Sequence, residues 1–463
     1  MENSFKQALI EIVGDQCVKT DATSIENYRT DWTSLPSSPV GIVLPKSTEE
    51  VALVVQLCEK QGVKLVASGG RTGLAGGATA PNGELILSLE KMNQIIEIDV
   101  AGMTLTTQAG VILEEIHNAA EKNGLFFPLN LGAKGSCHIG GNISTNAGGI
   151  KFIRYGGARD MVLGLEVVTT GGQVLQLGNG LRKDNSGYDL KQLFIGAEGT
   201  LGVVTKVTLK LFQKPKDRLV SLCALDSIKK IPNFITELNQ SGITINALEF
   251  FSKQAHEKVL RYGNNPNSPF NERHPYYVLM ELESKETDES LEKLLEKLLE
   301  SATICDAVLA SNSKQISQLW SFRENITESL AAHGHVRKND ISVRVKDLAD
   351  FIGELENIVF KDESEVEVIV FGHIGDGNIH INYIAEKTLA RDKFMEVSTQ
   401  MERKVFRLIK DFSGSISAEH GIGVLKTSDL HYSRSETEVE VMRKIKKALD
   451  PHNTFNPGKI FNV

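Results

Sequence analysis

The stretch SGGRTGLAGGA, residues 68–78, packs Gly69, Gly70, Gly73, Gly76 and Gly77 into one short segment. It continues VKLVAS, residues 63–68, which reads as a buried strand. Only glycine lets successive backbone N–H groups close on an anion without a Cβ in the way. Ser68, Arg71, Thr72 and Leu74 complete this candidate loop. A second stretch, LGAKGSCHIGGNISTNAGG, residues 131–149, has the same character. It offers Gly132, Gly140, Gly141 and Gly148, with Ser136, Asn142, Ser144, Thr145 and Asn146 as side-chain donors. One such loop serves tight packing as readily as a ligand. Two in one domain point to a diphosphate with polar groups beyond it, and so to a dinucleotide. Neither loop has the Gly-Lys-Ser/Thr of a Walker motif, and the first runs Gly70-x-x-Gly73-x-x-Gly76 rather than Gly-x-Gly-x-x-Gly. ATP and NAD are disfavoured by their own fingerprints.

Around these loops the pattern is mixed helix and strand. STEEVALVVQLCEKQG, residues 47–62, opens on a capping box, Ser47 with Glu50, and carries Val51, Val54, Val55 and Cys58 as a helical stripe. Gly62 fits the helix stop. VLGLEVVTTGGQVLQLG, residues 162–178, reads as two strands about a Gly171-Gly172 turn, and GTLGVVTKVTLKLF, residues 199–212, as another strand. Glycine then thins out, which puts a domain boundary near 214. Beyond it, strands near 218–225, 276–283 and 366–384 alternate with helices, and the last sixty or so residues are helical before DPHNTFNPGKIF, residues 450–461.

The chain has 463 residues, enough for two or three domains. Its 41% hydrophobic and 24% charged content is ordinary for a globular protein. The net charge is −8 and no long Lys/Arg run exists, so nucleic acid and anionic membrane are poor partners. No apolar run approaches the roughly 20 residues of a membrane helix. MENSFKQALIEIVGDQ lacks a signal-peptide core and is too acidic for a mitochondrial presequence. Cys17, Cys58, Cys137, Cys223 and Cys305 are scattered and never in Cys-x-x-Cys. Free thiols and a cytoplasmic location are the expectation.

GHIGDGNIH, residues 372–380, sets two histidines about a loop-like Gly-Asp-Gly-Asn cluster. If Ile374 pairs with Ile379 in a hairpin, His373 stands opposite His380 with Cβ atoms about 5 Å apart. Asn382 shares the face. This is either a two-ligand clasp for a metal or a pair of ordinary half-buried histidines, and a metal needs a third ligand.

Six blocks occur in order: SGGRTGLAGG (68–77), GGNISTNAGGIKFIRYGGARD (140–160), GYDLKQLFIGAEGTLGVVTKV (187–207), GHIGDGNIHIN (372–382), SAEHGIG (417–423) and NPGK (456–459). Together the chain resembles the FAD-dependent D-2-hydroxy acid dehydrogenases of the vanillyl-alcohol oxidase/p-cresol methylhydroxylase superfamily, and among them the D-2-hydroxyglutarate type. The resemblance implies an α+β fold: a two-subdomain FAD-binding domain (1–214), a substrate domain with an antiparallel sheet (215–400) and a C-terminal helical segment returning to the flavin (401–463). It implies that the two loops hold the FAD diphosphate, ribityl chain and flavin, that Glu198, Gly199, Gly202 and Val203 complete the site, and that Asn456 lies by the flavin. Some members tether FAD through a histidine in the first loop. Here Arg71 follows the glycine pair, so non-covalent FAD is expected.

The same resemblance supplies the third ligand. SISAEHGIG, residues 415–423, brings Glu419 and His420, whose side chains point opposite ways if extended. Glu419 with His373 and His380 matches the divalent-metal set of the D-2-hydroxyglutarate type, zinc first, with manganese or iron(II) also compatible. His420 is the implied general base for oxidation to the 2-oxo acid, with hydride passing to flavin N5. SFRENITES (321–329) and RKNDIS (337–342) match the family spacing of Arg323, Thr327 and Lys338 for a distal carboxylate, with Asn382 as a further contact. Arg323 and Thr327 are expected one helical turn apart on one face. D-Lactate, glycolate or D-malate are the alternative substrates, and a metal-dependent hydrolase is the rival class. An electron-transfer flavoprotein, a quinone or oxygen could take the electrons, and a homodimer is the implied assembly.

Overall fold

A computed structural model describes residues 1–463 except 34, 216–217, 264–266, 284–288 and 361–364. The chain forms two compact units. The first comprises Met1–Gly149, Tyr155–Lys214 and Glu419–Val463, and the second Ile150–Arg154 and Pro215–Ala418. No break falls at 401, where a C-terminal segment was expected to begin. One uninterrupted helix, Arg391–Asp411, runs through that point and buries Phe394, Met401, Val405, Phe406 and Ile409. Ser415 then exchanges backbone hydrogen bonds with Ser342 at 2.8 and 3.0 Å, which keeps the chain in the second unit as far as Ala418.

The first unit has two main sheets. In one, strands β1 (Val18–Lys19), β2 (Gly41–Val43), β3 (Leu65–Ser68) and β4 (Leu85–Ser88) lie in the order β1-β2-β4-β3. β2, β4 and β3 are parallel, so β2 and β3 need a crossover. The helix Thr48–Gln61 provides it. Ser47 caps its start by accepting the Glu50 N–H at 3.2 Å, and Gly62 ends it at φ +67°, a conformation open to glycine. Val51, Val54, Val55 and Cys58 are all fully buried. The other sheet is antiparallel: β5 (Ile95–Asp99), β6 (Thr104–Gln108), β8 (Val162–Val168), β9 (Val174–Leu177) and β10 (Val203–Lys210), in the order β5-β6-β10-β8-β9. A short pair, β7 (Leu125–Phe126) with β11 (Phe212–Gln213), completes the unit. The C-terminal residues return to β3: Leu65 donates to the Thr454 carbonyl and Asn456 donates to the Leu65 carbonyl, both at 2.8 Å.

The second unit is built on one antiparallel sheet of seven strands. These are β12 (Arg218–Leu225), β13 (Thr244–Ser252), β14 (Tyr276–Glu283), β15 (Asp306–Leu309), β16 (Gly334–Ser342), β17 (Glu367–His373) and β18 (Asn378–Glu386). Their order is β15-β12-β14-β13-β17-β18-β16. Alternate residues share a face. Val220, Leu222, Phe251, Tyr277, Leu279, Ile369 and Phe371 turn toward Leu319, Phe322, Ile326 and Leu330 of the helices Ser313–Glu324 and Ile326–His333. A buried carboxylate, Glu281, interrupts the apolar run. It is held by Lys151 Nζ at 2.9 Å and Trp320 Nε1 at 3.1 Å, so the charge is paired and bonded as burial requires.

His256 lies in this core fully buried, among the rings of Phe251, Tyr277 and Phe322. Neither ring nitrogen has a hydrogen-bond partner among the described residues. Burial pushes its pKa down to about 4. A depressed histidine contributes stability above its unfolded pKa, and that contribution is lost as pH falls toward the folded value. His256→Leu is therefore expected to flatten the loss of Tm between pH 6.5 and pH 4. Thermal melts across that range check this; identical slopes for variant and wild type would contradict it.

Candidate active site

In the first unit the two glycine loops lie backbone against backbone. A Cβ added at Gly70 would run into the Ser136 carbonyl oxygen and lie 2.9 Å from its carbon. One at Gly140 would come within 2.7 Å of the Ala109 Cβ. Gly73, Gly132 and Gly141 differ: a Cβ there meets nothing within 4 Å. The glycines thus divide into those needed for close packing and those that face open space. Beside them, Ser68 Oγ, His138 Nδ1 and Asn142 Oδ1 are buried without hydrogen-bond partners among the described residues. Buried polar atoms left unpaired are costly unless a ligand completes them. An open cradle with unpaired polar atoms on its wall fits a dinucleotide.

Four non-glycine residues expected at the cofactor adopt positive φ: Arg71 at 55°, Asn146 and Glu198 at 50° and Asn456 at 41°. Such backbone is disfavoured for Arg and Glu and persists where surrounding contacts impose it. Arg71 donates to the Gly69 carbonyl at 3.2 Å and lies 4.6 Å over the Tyr28 ring.

Several expected cofactor contacts have other partners. Residues Ile139–Ser144 form a short helix within the second loop. Ser144 and Thr145 turn their hydroxyl protons back onto the Gly140 and Gly141 carbonyls at 2.8 and 3.1 Å, so neither proton is left for a ligand. The Asn146 side chain accepts the Arg159 N–H at 2.9 Å. The Glu198 carboxylate accepts the Ile422 and Gly423 N–H groups, each at 2.7 Å. It therefore clamps the loop that follows Glu419 and His420. Burial pushes its pKa up, against the pull of these two donors. The Asn456 side chain is spent on backbone: Nδ2 donates to the carbonyls of Glu198 (2.7 Å) and Gly77 (3.3 Å), and Oδ1 accepts the Ala67 N–H (3.0 Å). A Cβ at Gly199 would press on Asn456 Nδ2 at 2.9 Å, one at Gly202 on the Val168 carbonyl at 2.7 Å, and Val203 is itself buried. Lys459, of the same NPGK block, donates to the Thr79 carbonyl at 2.8 Å, and burial lowers its pKa to about 8.

In the second unit the hairpin register departs from expectation. His373 pairs with Asn378, Gly372 with Ile379 and Phe371 with His380. The loop is Ile374–Gly377, and Ile374 leaves the hairpin to donate to the Leu248 carbonyl at 3.1 Å. Asn378 belongs to the strand because its Nδ2 binds Asp340 Oδ1 (2.7 Å) and the Ile341 carbonyl (2.8 Å). The slip is two residues, and an even slip keeps every side chain on its face. His373 and His380 are thus diagonal rather than opposed neighbours, with ring centroids 5.3 Å apart.

A carboxylate stands behind each ring. Glu249, directly across from His373 on β13, places Oε1 2.6 Å from His373 Nδ1. Asp340, directly across from His380 on β16, lies 3.6 Å from His380 Nδ1, a charge contact rather than a hydrogen bond. A carboxylate at Nδ1 is the usual backing of a metal-ligating histidine. Ala418 donates its N–H to the Asp340 carbonyl (3.3 Å) and Oδ2 (3.1 Å), and Glu419 and His420 follow directly. Within this unit His373 and His380 thus bring two imidazoles together on one face, the pair that the resemblance completes with Glu419 for a divalent ion.

Arg323 Nε sits 2.6 Å from Glu249 Oε2, an ion pair off the line of a hydrogen bond, and its guanidinium covers the Phe371 ring at 4.7 Å. Arg323 and Thr327 do not share one continuous helix: the helices Ser313–Glu324 and Ile326–His333 meet at Asn325, and Thr327 is half-buried on the second. Lys338 lies on β16 directly across from Asn382 on β18. Burial lowers the Lys338 pKa. The Asn382 amide nitrogen is buried without a hydrogen-bond partner among the described residues. Sequence reasoning missed Glu249 and Asp340. The signal for Glu249 was a lone acid within the apolar run NALEFFS, residues 246–252.

Comparison with known proteins agrees with this architecture. The FAD binding domain family matches residues 39–178, and the family of FAD linked oxidases, C-terminal domain, matches residues 214–460. The protein is an FAD-linked oxidoreductase. It is 43% identical over 449 residues to D-2-hydroxyglutarate dehydrogenase of Xanthomonas citri pv. viticola, covering 96% of this chain and 94% of that one. The enzyme of the same name from Stutzerimonas stutzeri is 41% identical over 448 residues (96% of each), and the mitochondrial one of Bos taurus 39% over 460 (98% and 82%). The chain belongs to this family of FAD-dependent D-2-hydroxy acid dehydrogenases. Among solved structures, p-cresol methylhydroxylase has a TM-score of 0.78 at 15% identity, covering 99% of this chain and 97% of that one. An alkyldihydroxyacetonephosphate synthase reaches 0.76 at 18%, covering 99% and 86%. At these identities the likeness is one of fold.

The two kinds of glycine can be told apart by experiment. Gly70→Ala is expected to destabilise the FAD-free protein by about 1–3 kcal/mol through overpacking. Gly73→Ala is expected to leave that stability unchanged and to weaken FAD retention. Denaturant melts of the FAD-free protein and flavin absorbance after desalting check both; equal stability loss in the two variants would remove the distinction.

Proposed function

We propose that this enzyme oxidises a D-2-hydroxy acid to the 2-oxo acid, D-2-hydroxyglutarate ahead of D-malate, D-lactate or glycolate, using FAD and one divalent ion, zinc ahead of manganese or iron(II). One observation carries the reading: a single sheet face sets two carboxylate-backed histidines beside Lys338, Asn382 and the neighbouring Arg323. Two cations suit a second carboxylate, and lactate has no group to meet them. The printed names of the similar enzymes point the same way.

When bound, FAD supplies the two-electron acceptor and the ion supplies Lewis acidity toward the substrate hydroxyl. His373, His380 and Glu419 hold the ion. His420 accepts the proton of the hydroxyl, and Glu198 steadies the loop behind it. Arg323, Thr327 and Lys338 receive the distal carboxylate. Burial strips solvent from the Lys338 ammonium, and an anion beside it restores the lost stabilisation. The Asn382 amide nitrogen, without a hydrogen-bond partner among the described residues, donates to a substrate oxygen.

His420→Ala is expected to keep FAD and lose reduction by substrate, seen as no anaerobic bleaching of flavin absorbance. Bleaching at the wild-type rate would end the assignment. kcat/KM is expected to exceed that for D-lactate by about tenfold or more with D-2-hydroxyglutarate, the scale of one charge-assisted contact. Activity is expected to disappear on chelation and return with zinc. A preference for lactate would refute the cationic pocket.

A further inference from the structure

Glu249 touches both halves of this site. It is fully buried in β13, with one carboxylate oxygen 2.6 Å from His373 Nδ1 and the other 2.6 Å from Arg323 Nε. One carboxylate thus stands between an imidazole and a guanidinium. Arg323 has only its Nε on this carboxylate; among the described residues neither terminal nitrogen makes a hydrogen bond. The guanidinium plane is fixed on one side by Glu249 and across its face by Phe371, whose ring is in turn 5.0 Å from that of His380. The contacts run from one histidine to the other: His373, Glu249, Arg323, Phe371, His380.

We propose that Glu249 is a positioning residue that couples the divalent-ion site to recognition of the substrate's second carboxylate. The inference rests on the function proposed above. The carboxylate fixes His373 with Nδ1 protonated and Nε2 directed to the ion, and raises the ligand's basicity. The same carboxylate holds Arg323 by Nε, which leaves the two terminal nitrogens as a fork for a carboxylate. An ion at His373 and a dicarboxylate at Arg323 then draw on one shared anion. By linkage, whatever orders one arm favours the other.

Glu249→Gln keeps the shape but removes the charge, and its amide can face only one of the two donors with an acceptor. In FAD-loaded enzyme, zinc affinity measured against a competing chelator is expected to fall about 10- to 100-fold. The ratio of kcat/KM for D-2-hydroxyglutarate over D-lactate is expected to fall about tenfold, with FAD content retained. A purely structural role would lower both substrates alike and leave that ratio unchanged. Should Glu249→Gln not fold, Arg323→Lys carries the test. A single ammonium cannot serve Glu249 and substrate together, so the ratio falls and zinc affinity shifts by about fivefold or more. Either property unchanged in the folded variant, in a wild type that binds zinc and prefers the dicarboxylate, overturns the coupling alone. A wild type that binds no zinc or prefers D-lactate overturns the proposed function, and the coupling with it.

Discussion

The side chain of Asn456 is the constraint on which the cofactor half depends. One amide group bonds three backbone segments far apart in sequence: the end of β3 at Ala67, the first glycine loop at Gly77 and the turn at Glu198. It does so from a left-handed backbone position that asparagine tolerates better than most residues. Glu198, held by its carbonyl in this way, uses its buried carboxylate to hold Ile422 and Gly423. The loop after His420 also rests on the first glycine loop, through Val424 N–H to the Ala75 carbonyl at 2.9 Å. Loop geometry around the cradle is thus set by backbone groups bonded to two side chains, and the positive φ of Glu198 and Asn456 is held by those bonds.

The sheet of the second unit solves a different problem. A face that must hold histidines, an arginine and a lysine cannot be dry unless every charge is met. Glu249 and Asp340 answer this from the strands on either side of the histidine hairpin, each directly across from the ring that it backs. Antiparallel register makes that placement automatic once the strands pair, because directly opposed residues share a face. Both acids are fully buried, so their electrostatic hold is little weakened by solvent.

Much of this was legible in the sequence, for local reasons. The helix Thr48–Gln61 announces both ends through Ser47 and Gly62, and the glycine loops announce themselves by composition. The face shared by His373, His380 and Asn382 follows from a period of two, which survives an even slip of register. The slip itself was not legible: Asn378 joins the strand because of Asp340 and Ile341, which lie 38 and 37 residues away. Glu249 was hidden for the same reason, lying 124 positions before His373 in sequence. Ser144 and Thr145 looked like donors to a ligand, and only the short helix around them shows where their protons go. The resemblance named Glu198 and Asn456 as important without saying that they bond to the protein's own backbone.

The pairing of Leu65 with Phe455 also bears on how the molecule comes into being. Synthesis runs from the N-terminus, so β3 emerges early and waits for a partner made hundreds of residues later. Meanwhile the second unit, whose strands all lie between Arg218 and Glu386, has every partner in hand. Contacts of such long sequence separation form late and slowly. β3 is therefore made long before its partner, and that edge is open to wrong strands until residues 454–456 arrive.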